Sequence, residues 1–486
     1  MLIANRGEIA LRVIRACREL GYRAVAVYSP VDRTAPHAVF ADEAHPLPGD
    51  SPADSYLNIG TLIEIARAAR VDAVHPGYGF LAENPAFARA CEQAGLAFVG
   101  PPSDVLAICG DKARTRAQVA AAGVPVLPGT APLDDEEVSG AALRIGFPLL
   151  VKAAGGGGGK GIHLVRSADE LGNVVRLARG EAQAAFGDSR IYLERWLPGA
   201  RHIEVQVLAD GTGRVLALGE RDCSVQRRHQ KLIEESPAPS LDPPMRQRLL
   251  RFGVTAAEAI GYRGAGTVEF LVGGEECYFL EINARLQVEH PVTEVVTGID
   301  LVAEQLHIAR HGAMSVREAP APRGHALECR ISAEDPHQGF LPSLGRITAV
   351  REPGGPGVRV DSGLAPGLEV TRHYDPLLAK VITWGPSRRT AMARMRRALE
   401  EMVVDGVATT IPFHLWALAD PEFVAARHTT AFVSRWEAHR PGRHERTAII
   451  AAAAAAFLRE QEPRLPAAVP PGGWLRAARE EGLRGG

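Results

Sequence analysis

At 486 residues the chain is too long for one hydrophobic core, and roughly two to four domains are expected. Apolar residues make up 46% and charged residues 23%, as in globular proteins, and a formal net charge of −2 excludes a strongly basic nucleic-acid-binding surface or an acidic solvating tail. No apolar run reaches ~18 residues and no basic segment precedes an apolar one at the start, so neither a membrane span nor a secretory leader is expected.

Leu2 to Ala4 reads as a short strand, and Ile9, Val13, Ile14, Cys17 and Leu20 then share one face of a helix over 8–20. Strands at Tyr22 to Tyr28, Val71 to His75 and Ala97 to Val99 alternate with a helix at 58–70, which predicts a parallel, doubly wound domain over 1–99. The first strand-to-helix turn, Asn5-Arg6-Gly7-Glu8, lacks the GxGxxG pattern of a dinucleotide site. A helical connector follows over 100–126. A small domain over 127–197 carries strands at Pro148 to Ala153, Ile162 to Val165 and Arg190 to Arg195, with a helix near 168–185. A larger strand-rich domain covers 198–441; its Arg-rich helix at 388–397 reads as a solvated face. An Ala- and Pro-rich tail over 442–486, with Trp474, reads as a linker or docking segment.

Cys17, Cys91, Cys109, Cys223, Cys277 and Cys329 form no CxxC pair, which suits reduced thiols in a cytoplasmic protein better than a disulfide framework or a zinc site. Of the 55 basic residues only five are lysines: Lys112, Lys152, Lys160, Lys231 and Lys380. In so arginine-rich a chain the retained lysines are candidates for places where a compact point charge is needed, phosphate contacts among them.

Residues 155–161 read GGGGGKG. GxGxxG matches formally, but a strand follows where a helix should, and Walker A fails because Gly161 stands in place of Ser or Thr. The preferred reading is a mobile hairpin whose backbone N–H groups, with Lys160, close over phosphates; a plain flexible turn is the alternative. Further on, TVEFLV at 267–272 and CYFLEIN at 277–283 flank a turn centred near Gly274 and Glu275. That turn places Glu269 and Glu281 nearly opposite each other, with Asn283 on the same face as Glu281. Two carboxylates and an amide oxygen suit Mg²⁺ or Mn²⁺ bridging nucleotide phosphates; a solvated edge hairpin is the alternative. Directly after it, Arg285 can fork onto a small planar anion, and Glu289 can act as a base on that anion, though each alone reads equally as a surface ion-pair residue. Gln226 to Lys231 is dense in donors, flanked by Glu220, Asp222, Glu234 and Glu235.

Taken together, IANRGEIA at 3–10, HPGYGFLAEN at 75–84, GDK at 110–112, the glycine loop, RHIEVQVLAD at 201–210, ERDCSVQRRHQK at 220–231, GYRGAGTVEFL at 261–271, EINARLQVEHPVTE at 281–294 and ECRISAEDP at 328–336 resemble biotin carboxylase, an ATP-grasp enzyme, over residues 1 to about 441. The resemblance implies an α/β chain with a Rossmann-like N-terminal domain, an ATP-grasp lid and a strand-rich C-terminal domain. It implies that Lys112, Lys152, Gly158, Gly159, Glu194, Arg195, Trp196, Leu197, His202, Gln226 and His229 lie around ATP. Glu269, Glu281 and Asn283 resemble the ligands of two Mg²⁺ or Mn²⁺ ions, and Lys231, Arg285, Gln287 and Val288 the bicarbonate pocket. Glu289 matches the general base, Arg330 the group that stabilises the biotin enolate, and Tyr78 a neighbour of biotin. The implied reaction carboxylates biotin by way of carboxyphosphate, the first half-reaction of a biotin-dependent carboxylase such as an acyl-CoA carboxylase of fatty acid biosynthesis. The family usually has a few more residues before its first strand, and Ala284 stands where Thr is common. Carrier domains present their lysine between two methionines, whereas no lysine here neighbours Met, so biotin is expected on a separate carrier protein, with a carboxyltransferase and a homodimer as further partners. Another ATP-grasp ligase and a non-catalytic assembly module are the competing readings, and the final carboxyl acceptor stays open.

Overall fold

The computed structural model describes residues 1–153, 162–228 and 230–439, with positions 450, 451, 453, 454 and 457 beyond them. Met1–Trp436 form one unit and Glu437–Gly486 a second, whose described positions near 450 are helical. Gly158, Gly159, Lys160 and His229 lie outside the described residues, as does most of the Pro-rich tail.

Leu2–Ile3 is the central strand of a five-stranded parallel sheet ordered Glu43–Pro46, Val25–Tyr28, Leu2–Ile3, Ala73–His75, Ala97–Phe98. The helix Gly7–Glu19 buries Ile9, Val13, Ile14 and Cys17 against it, the face that the sequence spacing predicts. Leu20 departs from that expectation: it caps the helix and stands exposed, because the chain leaves the helix there to reach Val25. Strand order reverses at Leu2–Ile3, so the turns after Ile3 and His75 meet at the carboxyl edge, where open sheets hold ligands. Asn5 closes this edge by donating its amide to the carbonyls of Pro76 and Tyr78, both at 2.7 Å. Gly77, with φ +64°, admits that contact; a Cβ there would stand 2.8 Å from Asn5 Nδ2.

A three-stranded antiparallel sheet, Ile162–Val165, Leu149–Ala153 and Ile191–Arg195, carries the helices Asp135–Ile145 and Ala168–Phe186 on its apolar residues Leu149, Val151, Val165, Ile191 and Leu193. The glycine loop joins its first two strands.

The largest element is an eight-stranded sheet ordered Glu276–Asn283, Gly264–Gly273, Arg201–Ala209, Val215–Arg227, Gln230–Ser236, His325–Ser332, Leu377–Gly385, Val358–Ser362. Arg201–Ala209 explains how it works. Ile203, Val205, Val207 and Ala209 face an apolar core shared with Val268, Phe270 and Phe279. The helix Pro243–Ala259 packs there so closely that a Cβ at Gly253 would meet Val205 Cγ1 at 2.6 Å. The alternate residues His202, Glu204 and Gln206 point to the other face, yet they are buried too. A strand that alternates apolar with polar normally wets its polar face. Here that face lines an enclosed polar chamber.

The arginine-rich helix, Arg388–Glu401, is not simply solvated. Ala391, Met395, Ala398 and Leu399 bury one face, and Arg388 turns back to the sheet, donating to both oxygens of Glu235 at 2.6 and 2.8 Å. His325 reaches Glu235 Oε2 at 2.8 Å, and His428 stands 3.9 Å from Oε1. Burial opposes charge on Glu235, but Arg388 and His325 outweigh it and hold its pKa at about 2. A pKa depressed from 4.5 means stability that is present above the unfolded value and lost as pH falls from there towards 2. Glu235→Gln is expected to cost about 3–5 kcal/mol at pH 7, because it removes the buried carboxylate that Arg388 and His325 share. Urea unfolding at pH 7 and pH 4 checks this; the gap to the unaltered protein should narrow by about 1 kcal/mol at pH 4.

Candidate active site

The hairpin Gly264–Gly273 and Glu276–Asn283 turns at Gly274 and Glu275, where the sequence places it. Counting from Gly273↔Glu276 alone would set Leu280 opposite Glu269. A bulge between Phe270 and Glu269 adds one residue and brings Glu281 directly opposite Glu269, with Thr267 opposite Asn283. The two acids therefore share one face at the rim of the chamber.

Lys231 sits at the centre. Its Nζ donates to Glu204 Oε2 at 2.5 Å, Glu269 Oε1 at 2.8 Å and Glu289 Oε1 at 2.7 Å. Behind it, Arg221 is fully buried; it donates to Glu204, to Gln206 Oε1 at 2.6 Å, to Thr293 Oγ1 at 2.9 Å and to Thr267 Oγ1 at 3.0 Å. In front of it, Arg330 bridges two buried acids, Nε to Glu234 Oε1 at 2.6 Å and a terminal nitrogen to Glu289 Oε2 at 2.8 Å. His202 Nε2 lies 3.0 Å from Glu269 Oε2 and its Nδ1 3.3 Å from Gln226.

The electrostatics follow from these contacts. Burial pushes Glu289 up, but Lys231, Arg330 and Arg221 prevail and hold it well below the ordinary carboxylate range, so it is ionised. Burial likewise disfavours charge on Lys231, and Glu204, Glu269 and Glu289 overturn that, raising its pKa well above the usual value. Glu234 is pushed up to about 7, because burial and the neighbouring Glu289 outweigh Arg330. Cys223 lies 3.8 Å from Glu289 Oε1, and its pKa is driven up by burial among the acids.

Arg285 leaves the hairpin pointing the same way. It donates to Glu83 Oε2 at 2.9 Å, Gln287 Oε1 at 2.9 Å and Asn283 Oδ1 at 3.2 Å, while Gln287 Nε2 reaches Glu269 Oε1 at 3.3 Å. Val288 lends its carbonyl to Lys380. Lys112 stands half-exposed, 2.9 Å from Glu281 Oε2. Glu194 is buried between Lys152 and Arg116, whose terminal nitrogen lies at 2.9 Å. Arg195 faces Glu276 and Tyr278, and Leu197 packs against Gly273, with Trp196 between them in the chain. Tyr78 donates its hydroxyl to Glu8, and its ring lies 5.9 Å from Lys380 Nζ. The sequence-derived residues of the hairpin and the run after it thus meet Lys231 and Arg330 in one chamber, whereas Lys152 and Glu194 form a separate group on the small antiparallel sheet, and Arg195 reaches from that sheet to Glu276 and Tyr278 at the far end of the hairpin.

Among the described residues, two sets of donors lie within metal-ligand range of one another, His202/Glu204/Glu269 and Glu204/Cys223/Glu289. Both surround the Lys231 ammonium, which already satisfies their carboxylates. Glu269 and Glu281, opposed at the open rim with Asn283 further along the same strand, fit a divalent cation better, since Glu281 is partly exposed and, among the described residues, is balanced by the solvent-facing Lys112.

Glu204, Arg221, Glu83 and Glu8 escaped individual notice in the sequence. Glu204 and Arg221 had a signal, an acid and a base within strongly β-forming runs, but only the sheet register shows their partnership.

Three family models match: the biotin carboxylase N-terminal domain at residues 1–106, the carbamoyl-phosphate synthase L chain ATP-binding domain at 111–316, and the biotin carboxylase C-terminal domain at 328–435. Biotin carboxylase 1 of Bacillus subtilis is 48% identical over 442 residues, 90% of this chain and 98% of its own. A pyruvate carboxylase subunit of Methanothermobacter thermautotrophicus is 48% identical over 439 residues, 90% of this chain and 89% of its own. The biotin carboxylase domain dimer of Hydrogenobacter thermophilus 2-oxoglutarate carboxylase, solved with MgADP, ADP and bicarbonate, superposes with a TM-score of 0.85 at 45% identity, covering 90% of this chain and 97% of that one.

Lys231→Met is expected to destabilise the protein by about 3–5 kcal/mol, because three buried acids lose their shared cation. Adding Glu204→Gln should recover part of that loss. Denaturant unfolding of both variants checks the assignment; no recovery would show that the acids are not coupled through Lys231.

Proposed function

The chain belongs to the biotin carboxylase family, and from that membership we propose how its own residues divide the work. The enzyme uses ATP and bicarbonate to carboxylate biotin. The observation that carries the residue assignment is the convergence of Lys231 and Arg330 on the ionised Glu289, with Arg285 close enough to feel its charge.

Bicarbonate seats against Arg285, Gln287, Val288 and Lys231, where a planar guanidinium and an ammonium match a small planar anion. Glu289 accepts the bicarbonate proton, and the freed oxygen attacks the γ-phosphorus of ATP, giving carboxyphosphate and ADP. Carboxyphosphate then releases CO₂ and phosphate. The released phosphate accepts the N1′ proton of biotin, Arg330 holds the ureido oxygen as negative charge develops there, and the deprotonated N1′ captures CO₂. Tyr78 stands beside that ring. Lys112, Lys152, the segment Glu194 to Leu197, His202 and Gln226 surround the nucleotide, with Gly158, Gly159 and His229 completing its contacts. Glu269, Glu281 and Asn283 hold Mg²⁺ or Mn²⁺, which neutralises phosphate charge when bound.

Relatives of similar identity belong to carboxylases of different acceptors, pyruvate in one and 2-oxoglutarate in another. The acceptor is therefore chosen by a separate carboxyltransferase. On this reading biotin comes on a separate carrier protein. A homodimer working in the cytoplasm completes this reading; none of the described helices is long and apolar enough to cross a membrane.

Glu289→Gln is expected to lower bicarbonate-dependent ADP release by roughly 10²–10⁴-fold. ATP affinity, read by calorimetry, should stay unchanged; turnover equal to that of the unaltered enzyme would remove Glu289 from the role of base. Glu269→Gln with Glu281→Gln should raise the Mn²⁺ concentration needed for half-maximal activity at least ~10-fold.

A further inference from the structure

Four of the five lysines fall in the nucleotide, lid and bicarbonate regions, and Lys380 is the one left over. It lies on Leu377–Gly385, a strand that no sequence motif singled out, and its side chain is fully buried. An ammonium is costly to bury and persists only where partners compensate it. Three do. Nζ donates to the carbonyl of Val288 at 2.8 Å, and lies 3.3 Å from Glu8 Oε1 and 3.8 Å from Asp361 Oδ2. Each partner comes from a different part of the fold: Val288 from the turn after the hairpin, Glu8 from the first helix of the N-terminal sheet, Asp361 from the neighbouring strand.

Where these partners lie is what matters. Val288 is the residue before Glu289 and the one after Gln287. The run from Ala284 to Glu289 has no regular secondary structure, so its shape depends on what holds its backbone. Its start is fixed by Glu83, which accepts from Ala284 N at 3.1 Å and from Arg285 Nε at 2.9 Å. Its end is fixed by Lys380. Local bonds close the middle: Arg285 donates to Leu286 O at 3.2 Å and His290 N to Gln287 O at 3.3 Å. Glu8, which balances Lys380, also receives the Tyr78 hydroxyl. Directly across the strands from Lys380 stands Arg330. The two cations are thus neighbours with separate tasks, Arg330 turned to Glu234 and Glu289, Lys380 to Glu8, Asp361 and the Val288 carbonyl.

We propose that Lys380 is a positioning residue for bicarbonate: by clamping the Val288 carbonyl it sets the Arg285–Glu289 run in its anion-binding shape and ties that run, through Glu8, to Tyr78 on the N-terminal sheet. This rests on the bicarbonate reading given above. Arginine would not reproduce this set of contacts, because a single ammonium serves the Val288 carbonyl, Glu8 and Asp361 from one point, whereas a guanidinium directs its donors in a planar fork.

The test measures steady-state ADP release with free biotin, varying bicarbonate and ATP separately. Lys380→Met is the first variant. It leaves Glu8 and Asp361 less compensated, so Lys380→Met with Glu8→Gln serves as a second variant that removes one positive and one negative charge together and keeps a group for Tyr78 to bond. In whichever variant folds, the bicarbonate KM should rise at least ~10-fold, the loss of one hydrogen bond to a charged group, with the ATP KM within about twofold. A bicarbonate KM within twofold of the unaltered enzyme, or bicarbonate and ATP KM values rising in step, would overturn the assignment and leave Lys380 a structural ion-pair residue. No bicarbonate-dependent ADP release from the unaltered enzyme would overturn the bicarbonate reading and this inference with it.

Discussion

One ammonium group, that of Lys231, lets three buried carboxylates stand together. Glu204, Glu269 and Glu289 come from three separate segments and all converge on it. Without that cation, the polar face of Arg201–Ala209 would have to open to water, since ionised acids left unpaired in a protein interior are far too costly to keep. With it, the sheet can stay covered on both faces. Arg221 supports the cluster from behind and Arg330 from the front, so each acid meets at least one cation, and the chamber is charged yet close to neutral in sum.

Where chemistry coincides with local pattern, the sequence is legible. Glu269 and Glu281 stand out because each interrupts an apolar strand, and a two-residue turn fixes their pairing to within one position. The remaining position is decided by the bulge at Phe270, whose extra residue has no signature in a run of strand-forming residues. The doubly wound N-terminal sheet is legible for the same reason, as strands and helices alternate there with clear apolar faces. Glu204 and Arg221 were less legible. Alternation of apolar and polar residues looks the same whether the polar face is wet or enclosed, and only packing tells them apart. Arg388 shows the opposite error: a helix dense in arginine reads as solvated, yet one of those arginines crosses to Glu235 on a strand 153 residues earlier. Glu83 and Glu8 were hidden for a further reason, since each acts on a partner far away in sequence; Lys380 stood out by residue type, but its partners did not.

The scarcity of lysine gains a physical meaning from the two cations that flank Glu289. Lys231 gathers three carboxylate oxygens around a point, which a planar guanidinium could not do without clashing. Arg330 instead spans two acids along one edge of its plane, Nε to Glu234 and a terminal nitrogen to Glu289, a bridge that an ammonium is too compact to make. Exchanging the two residue types would therefore break both arrangements at the same formal charge.

That arrangement also constrains the base. Both oxygens of Glu289 are engaged, Oε1 by Lys231 and Oε2 by Arg330, and both contacts lower its proton affinity. A carboxylate so held is a poor base in the absence of substrate. It gains basicity only when one of its cations turns to another anion. Bicarbonate beside Lys231 and the developing enolate beside Arg330 are such anions. On the proposed mechanism, the proton affinity of Glu289 thus rises when there is a proton to take, and between turnovers the site, with its base neutralised, stays stable and idle.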